Sequence, residues 1–388
     1  MRFASDVDQL SAAAAFAARH ATGAAAIPAL SGVRVQAEND VVRLTGYDYE
    51  ASSVVTIEAK VEEPGERLAP GRVFAEILRS LPSGPVEVAS VGGSVEIAAG
   101  PIEFALPTLS MDDYPELPSP PEPIGEVDGA ALAVTTAALS RIALREDVIP
   151  VLSGIHLEFG AETLTLTASD RFRIAMRELS WSEVPTDSSA LELFSSRPTE
   201  VIVPARMLAD TTRHLRPTES TDAVRIGVGE ADQSLISLAT SERLSVLRLL
   251  DGKYPPFRSK VPTSFAGSVV VAVDEFRAAL KRVCIVADRY AAVTLTFDSD
   301  GIVVGAAGDV DARGREFLAA QCEGERATVG FNASYLLDGL DVLDSPYVRL
   351  AFNTGMQPAL LTPRDALDGD DRSDILYVVM PRRLPTTG

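Results

Sequence analysis

The sequence predicts an α+β chain built from three similar domains. Three observations predict it: an apolar string that recurs, a helix before and after each recurrence, and two proline-rich connectors at corresponding places. Ile27-Pro28-Ala29-Leu30-Ser31-Gly32-Val33 returns as Ile149-Pro150-Val151-Leu152-Ser153-Gly154-Ile155. Each string runs into a pair of strand-like segments, the second pair within LTLTASDRFRIAM. A weaker third copy starts at Tyr290, has lost its proline, and joins its two strands through an Asp-Ser-Asp-Gly turn.

Taken in order, each copy opens with an apolar-periodic helix, over 7–21, 135–145 and 273–288, with Thr135 and Asp274 suited to start the second and third. A second helix follows each strand cluster, in PGRVFAEILRSLPSG from Pro70, PARMLADTTRHLRP from Pro204 and NASYLLDGLDVLDSP from Asn332. The Tyr114–Pro121 run and the Tyr254–Pro262 run lack too many amide donors to be central strands. They bound domains of 1–122, 123–262 and 263–388. A triplicated binding module and a large α+β enzyme both fit this pattern.

With 388 residues, 46% hydrophobic and 23% charged, the chain is long enough for several cores and is neither disordered nor membrane-like in composition. Asp6 and Asp8 precede any apolar run, so the start lacks the order of a signal peptide, and no apolar stretch reaches spanning length. A cytoplasmic protein with no membrane contact is expected. Cys284 and Cys322 form no CxxC pair, and His20, His156 and His214 are scattered, so no metal or other cofactor is expected. The net charge of −20 argues against bulk attraction to nucleic acid unless the cations are concentrated on particular helices.

IPVLSG, TASDRFRIAM, LLDGKYPPFR, FNASYLLDGL and the terminal YVVMPRRL, collinear over essentially the whole chain, resemble the bacterial sliding clamps, the beta subunits of DNA polymerase III. DYEAS and SPYVRL have an actinobacterial look and suggest a high-GC bacterial source. The resemblance implies the DNA clamp fold, with helices lining a ring, sheets on its outside, and a head-to-tail homodimer supplying six domains. It implies a processivity factor without catalysis. The implied partners are a second copy of the chain, duplex DNA bound without sequence preference, the polymerase III catalytic subunit, the clamp loader and other clamp-motif proteins. A ring held on DNA by topology needs only weak phosphate contacts.

On that resemblance the DNA-facing residues are Arg19, Arg72 and Arg79 in the first domain; Arg141, Arg145, Arg206, Arg213 and Arg216 in the second; and Arg277, Lys281, Arg282 and Arg289 in the third. Any one of these is equally consistent with a solvated helix face. Ala24 sits where relatives often carry a basic residue, and Asp338, Asp341 and Asp344 make the last lining helix acidic, so DNA contact should be uneven. Partner peptides should dock against Leu152, Ser169, Arg173, Ile174, Pro255, Val378, Val379, Met380, Pro381, Arg382 and Arg383. Each aliphatic among them equally suits a core. Arg171, Phe172, Lys260 and Arg382 depart from the usual pattern of that groove, which leaves a second reading open: a clamp paralogue that resists a clamp-directed inhibitor or sequesters clamp-binding partners. Phe104, Leu106, Ile285 and Val286 match the dimer interface.

An enzyme is the rival class. Asp170, Asp309 and Asp311 are the available acids, but Arg313 spoils the calcium-loop pattern that begins at Asp309, and no P-loop or GxSxG occurs. Asn332-Ala333-Ser334 reads as a helix cap rather than a glycosylation acceptor, and the acidic run Asp368–Asp374 as a solvated loop.

Overall fold

The three copies share one order of elements, the second with one strand fewer between its helices among the described residues. In a computed structural model, residues 1–21, 27–145, 148–184, 199–215, 223–229, 234–286, 292–307 and 313–384 are described. Ala24, Arg216, Asp288, Arg289, Tyr290, Asp309 and Asp311 lie outside them. The first copy runs β1 (Arg2–Asp6), α1 (Val7–Ala17), β2 (Gly32–Glu38), β3 (Val41–Tyr47), β4 (Ala51–Glu58), β5 (Lys60–Glu63), β6 (Gly65–Pro70), α2 (Gly71–Ser80), β7 (Pro85–Val91), β8 (Ser94–Ala99) and β9 (Ile102–Pro107). The second runs β10 (Pro123–Asp128), α3 (Gly129–Leu139), β11 (Gly154–Phe159), β12 (Thr163–Ser169), β13 (Arg173–Glu183), β14 (Glu200–Pro204), α4 (Ala205–His214), β15 (Ala223–Val228), β16 (Leu235–Ala239) and β17 (Arg243–Arg248). The third repeats the first element for element: β18 (Gly267–Ala272), α5 (Val273–Val283), β19 (Val293–Asp298), β20 (Gly301–Ala307), β21 (Arg313–Ala319), β22 (Gln321–Gly324), β23 (Ala327–Phe331), α6 (Ala333–Leu343), β24 (Tyr347–Phe352), β25 (Ala359–Arg364) and β26 (Ile375–Val379).

The prolines of both IPxLSG strings start short 3₁₀ turns, Pro28–Ser31 and Pro150–Ser153, where a fixed φ and a missing amide cost nothing. Asn332 caps α6 by accepting from the Ser334 amide at 3.0 Å. Two helix starts differ from the sequence expectation. α3 begins at Gly129 and ends at Leu139, so Thr135 and Thr136 are buried mid-helix and Arg141 and Arg145 lie in the turns beyond it. The helix is alanine-rich on every side and offers no apolar phase to read. α5 is capped at Ala272 with no side-chain bond, and Asp274 sits in its first turn.

Packing divides the chain into two units, Met1–Ala130 with Ser182–Pro198 and Asp210–Leu249, and Ala131–Trp181 with Thr199–Ala209 and Leu250–Gly388. In the first unit one antiparallel sheet runs β6-β2-β3-β4-β17-β16-β15-β10, and a five-stranded sheet runs β5-β1-β7-β8-β9. Val7, Leu10, Phe16, Phe74 and Leu78 of α1 and α2 fill its core. A side chain at Gly46 would lie 1.9 Å from the Ala17 carbonyl, which is why an alanine-rich helix can lie so close on β3. In the second unit one sheet runs β14-β11-β12-β13-β26-β25-β24-β18-β22, and a four-stranded sheet runs β21-β20-β19-β23.

The same junction therefore occurs in each unit. The fourth strand of copy one, β4, pairs with the last strand of copy two, β17, from Arg243↔Val55 to Leu247↔Ala51. The fourth strand of copy two, β13, pairs with the last strand of copy three, β26, from Arg173↔Val379 to Arg177↔Ile375. β9 and β21 remain edge strands of their sheets.

Candidate peptide groove and nucleic-acid interface

The groove residues gather in the second unit around the β12–β13 hairpin. Its turn is held by short polar side chains: Asp170 accepts from the amides of Phe172 at 3.0 Å and Arg173 at 3.1 Å, while Ser169 donates to the Arg173 carbonyl at 2.8 Å and accepts from the Arg171 amide. This drives Arg171 to φ +80° and leaves Phe172 half exposed. Met380 continues the ladder past β26, its amide donating to the Phe172 carbonyl at 2.8 Å. Beyond the buried Pro381, the Arg382 amide donates to Gly330 on β23. A side chain at Gly330 would meet Leu384, so the glycine lets the tail lie flat.

Strand alternation sorts the expected residues onto two faces. Ile174 and its register partner Val378 form one apolar cluster with Met176, against which Phe257, Val261, Leu360 and Leu376 pack half-buried. Leu152 joins Ile202 and Tyr254 in another, covered by Leu144, Ile149, Val151, Leu250 and again Phe257. Phe257 thus links both clusters into one apolar strip, beside which Pro255 is half-buried. The Tyr254 ring lies between His156, stacked at 4.7 Å, and the edge of Phe257. Burial pushes its hydroxyl pKa up; the nearby Ser169 backbone offsets this slightly without making a well-formed bond. On the neighbouring strand the His156 ring sits 3.1 Å from Glu200, and Glu158 lies opposite Glu200 within 4.0 Å of Arg258.

Arg173 and Val379 occupy the opposite face from Ile174 and Val378. Arg173 is only 7% exposed and donates to Asp170 at 2.9 Å, to Asp338 of α6 at 2.5 Å and to the Arg141 carbonyl at 3.0 Å, with its guanidinium 4.3 Å from the Tyr335 ring. Burial works against its charge, but Tyr377, Asp338 and Asp170 outweigh it and hold the guanidinium above the usual arginine range. It ties the hairpin to α6 rather than flooring the groove.

Among the described residues, most of the expected DNA-facing cations already have carboxylate partners. Arg19 is nearly buried against Asp210 at 2.6 Å; burial lowers its pKa while Asp210 counteracts the fall. Arg213 reaches the same Asp210 at 3.7 Å. Arg72 pairs with Glu76, Arg282 with Glu316, and Arg141 and Arg277 share Asp341. Arg79, Arg145, Arg206 and Lys281 are exposed and, among the described residues, have no carboxylate within ion-pair distance. Arg145 and Arg206 border one cleft with Ser140 and Ser153. Of the interface set, Phe104 is 38% and Ile285 82% exposed, Leu106 is buried and Val286 half-buried.

Sequence reasoning missed Tyr254, Phe257, Ile202 and Phe317. The first two stood in a proline run read as a connector, although aromatics flanking a double proline are a docking signal in themselves. Phe317, on edge strand β21, is 56% exposed.

Three tandem copies of one α+β unit, sheets that pass from copy to copy, a preformed apolar strip and cations on helix ends describe a repeat-built binding protein. No helix among the described residues is long and apolar enough to cross a membrane. Residues 1–118, 127–256 and 258–383 match the DNA polymerase III beta subunit N-terminal, central and C-terminal domains. The chain belongs to this family, the sliding clamps of DNA replication, whose members are processivity factors rather than enzymes. It is 36% identical to the beta sliding clamp of Streptomyces coelicolor, covering 99% of this chain and all of the relative. It is 35% identical to the beta sliding clamp homolog GriR of Streptomyces muensis, covering 99% of each. Among solved structures, the Pseudomonas aeruginosa clamp bound to griselimycin superposes with a TM-score of 0.88 at 27% identity, over 99% of this chain and all of that one. The Bacillus subtilis clamp superposes with 0.87 at 25% identity over 99% of each.

Proposed function

We propose that the chain consists of clamp domains 1–122, 123–262 and 263–388, closes with a second copy into a head-to-tail ring around duplex DNA, and docks partner peptides on the Leu152–Ile174–Val378 strip. The observation that carries this reading is the repeated junction. Fourth strand meets last strand at β4–β17 and again at β13–β26, leaving β21 and β9 as the fourth strand and last strand without a mate. Pairing β21 of one copy with β9 of another would complete the series, satisfy both edges and bring the exposed Phe317 and Phe104 out of water. Ile285 and Val286 follow α5, and Val286 contacts β21 beside Gly314.

In the assembled ring the exposed Arg79, Arg145, Arg206 and Lys281 supply the phosphate contacts, while Arg141, Arg277 and Arg19 must exchange a carboxylate for a phosphate. Such a surface grips loosely and slides. The polymerase III catalytic subunit, the clamp loader and other clamp-motif proteins are the partners of the apolar strip, in a bacterial cytoplasm. The experiment is retention of the loaded protein on nicked circular DNA: it should stay bound through gel filtration and leave when the circle is linearised. Equal loss from both forms would overturn the ring.

A second reading has a specific observation behind it. The chain is 35% identical to the homolog GriR over nearly its full length, a family member has been solved with griselimycin bound, and Arg171, Phe172 and Lys260 stand at the mouth of the apolar strip. On this reading the protein is a second clamp that resists a clamp-directed inhibitor, or sequesters clamp partners. Griselimycin binding as tight as to an ordinary clamp would remove the resistance form.

A further inference from the structure

We infer that His156, Glu158 and Glu200 form a binding site for a zinc-class divalent cation on one face of the second unit's large sheet. The inference stands apart from the readings of the apolar strip and of the ring. His156 and Glu158 are two residues apart on β11, so their side chains leave the same face, and Glu158 lies directly opposite Glu200 on β14. The ladder is closed on both sides of that pair, by Leu157↔Val201 and by the bond from the Phe159 amide to the Thr199 carbonyl at 2.9 Å. Nε2 of His156 sits 3.1 Å from a Glu200 carboxylate oxygen, and one donor atom from each of the three residues lies within 4.8 Å of the others. Donors around a tetrahedral zinc ion stand about 3.4 Å apart at bond lengths of about 2.0–2.1 Å, so a modest side-chain rotation brings the trio to that spacing.

Charge and burial single this trio out. Like charges directly opposite each other in a ladder repel, and the nearby cation does not relieve them. Arg258 comes within 4.0 Å of Glu158 but donates to Glu178 at 2.9 Å and to Thr165 at 3.1 Å. Among the described residues, the His156 imidazole is the one ion-pair partner of Glu200. That imidazole is preorganised: its side chain is 9% exposed and its ring stacks on Tyr254 at 4.7 Å with 8° between the planes, so little rotamer freedom is left to lose when Nε2 takes up an ion. Glu200 is 52% exposed, which gives the ion a way in and leaves a side open to water. One imidazole with two carboxylates favours zinc, cobalt or nickel over magnesium, which prefers oxygen ligands alone. The other histidines lack this environment, for among the described residues His20 and His214 each meet a single carboxylate, Asp48 and Asp210, at 3.5 Å. His156 and Glu200 are 44 residues apart, so no ligand spacing in the sequence announced the site.

The test uses the full-length chain without an affinity tag, stripped with a chelator and titrated with zinc chloride at neutral pH by isothermal calorimetry. One ion per chain is expected, accompanied by a rise in melting temperature, since an ion that binds only the folded chain stabilises it. Glu200→Gln and His156→Gln should each weaken zinc binding by at least about tenfold, because even the outer partners of a metal ligand are worth about ten- to a hundredfold. His214→Gln should leave it unchanged. Glu200 is exposed enough for its variant to fold even where His156→Gln disturbs the Tyr254 stack, and matching melting curves of the metal-free proteins verify this. Absence of stoichiometric zinc binding, binding undiminished in either variant, or an equal loss in His214→Gln overturns the site.

Discussion

Arg173 offers the sharpest test of how the hairpin, α6 and the apolar strip are held together. Arg173→Met keeps much of the side-chain volume and removes the guanidinium. Asp170, 12% exposed, and Asp338, 30% exposed, are left without their cation. Breaking one side of a buried pair costs about 3–5 kcal/mol; Asp338 is solvated enough to reduce its share, while losing the bond to the Arg141 carbonyl and the Tyr335 contact adds about 1 kcal/mol of destabilisation between them. A loss of about 3–4 kcal/mol is expected. Since a multidomain chain need not unfold in one step, the readout is hydrogen exchange of the β13 and β26 amides together with the urea midpoint of the transition that exposes them. Asp338→Leu alone should also destabilise, but Arg173→Met with Asp338→Leu should recover about 1.5 kcal/mol or more relative to the sum, because an apolar pair replaces an ion pair at little cost. A single-variant loss below about 1 kcal/mol, or strict additivity in the double variant, would refute the assignment of Arg173 as the buried tie.

Three further outcomes are expected. Asp341→Asn releases Arg141 and Arg277, so duplex affinity measured by anisotropy should rise, and the slope of log affinity against log salt should steepen by about 0.9 for each cation that gains a phosphate. Phe104→Arg and Phe317→Arg should each give monomers in sedimentation, since either places a charge in the apolar pairing of β9 with β21. Burial raises the Tyr114 pKa to about 12, so its neutral form favours the folded state: that stability is complete below the unfolded value near 10 and is lost as pH climbs through 12. Stability should therefore fall by about 2 kcal/mol across that window in the wild type and far less in Tyr114→Phe.

The repeat was legible because its signals are local. An asparagine at a helix start and an Asp-Ser-Asp-Gly reversal each act within a few residues, and the Asn332 cap and the Asp298–Gly301 reversal between β19 and β20 appear where they were expected. The α3 boundary was not legible, because the residues of GAALAVTTAAL that face solvent, Ala130, Val134 and Ala137, are as apolar as the buried ones, and Thr136 bonds back to the Leu132 carbonyl at 2.9 Å in mid-helix instead of capping. The two faces of the groove strands were not legible for a different reason. Val378 and Val379 are indistinguishable by residue type, and only the register with Ile174 and Arg173 tells which one joins the outer cluster.

The cations show most clearly what a sequence leaves hidden. Arg19 and Asp210 are 191 residues apart, and Arg141 and Asp341 are 200 apart. No helical period reveals such pairs. In a chain of net charge −20 an arginine has many potential carboxylate partners, so a basic residue on a suitable helix is a weak indicator of a bare positive surface. The acids are then part of how DNA would be held. Asp210 and Asp341 each take up two arginines, and a phosphate that displaces either carboxylate gains only the difference between two ion pairs. For a protein held on its track by closure, a small difference is an advantage, since each phosphate exchange is then nearly balanced and motion along the duplex meets low barriers. The exposed Arg145 and Arg206 differ in kind from Arg141 and Arg277, and removing them should reduce the salt slope where removing Arg277 leaves it nearly unchanged.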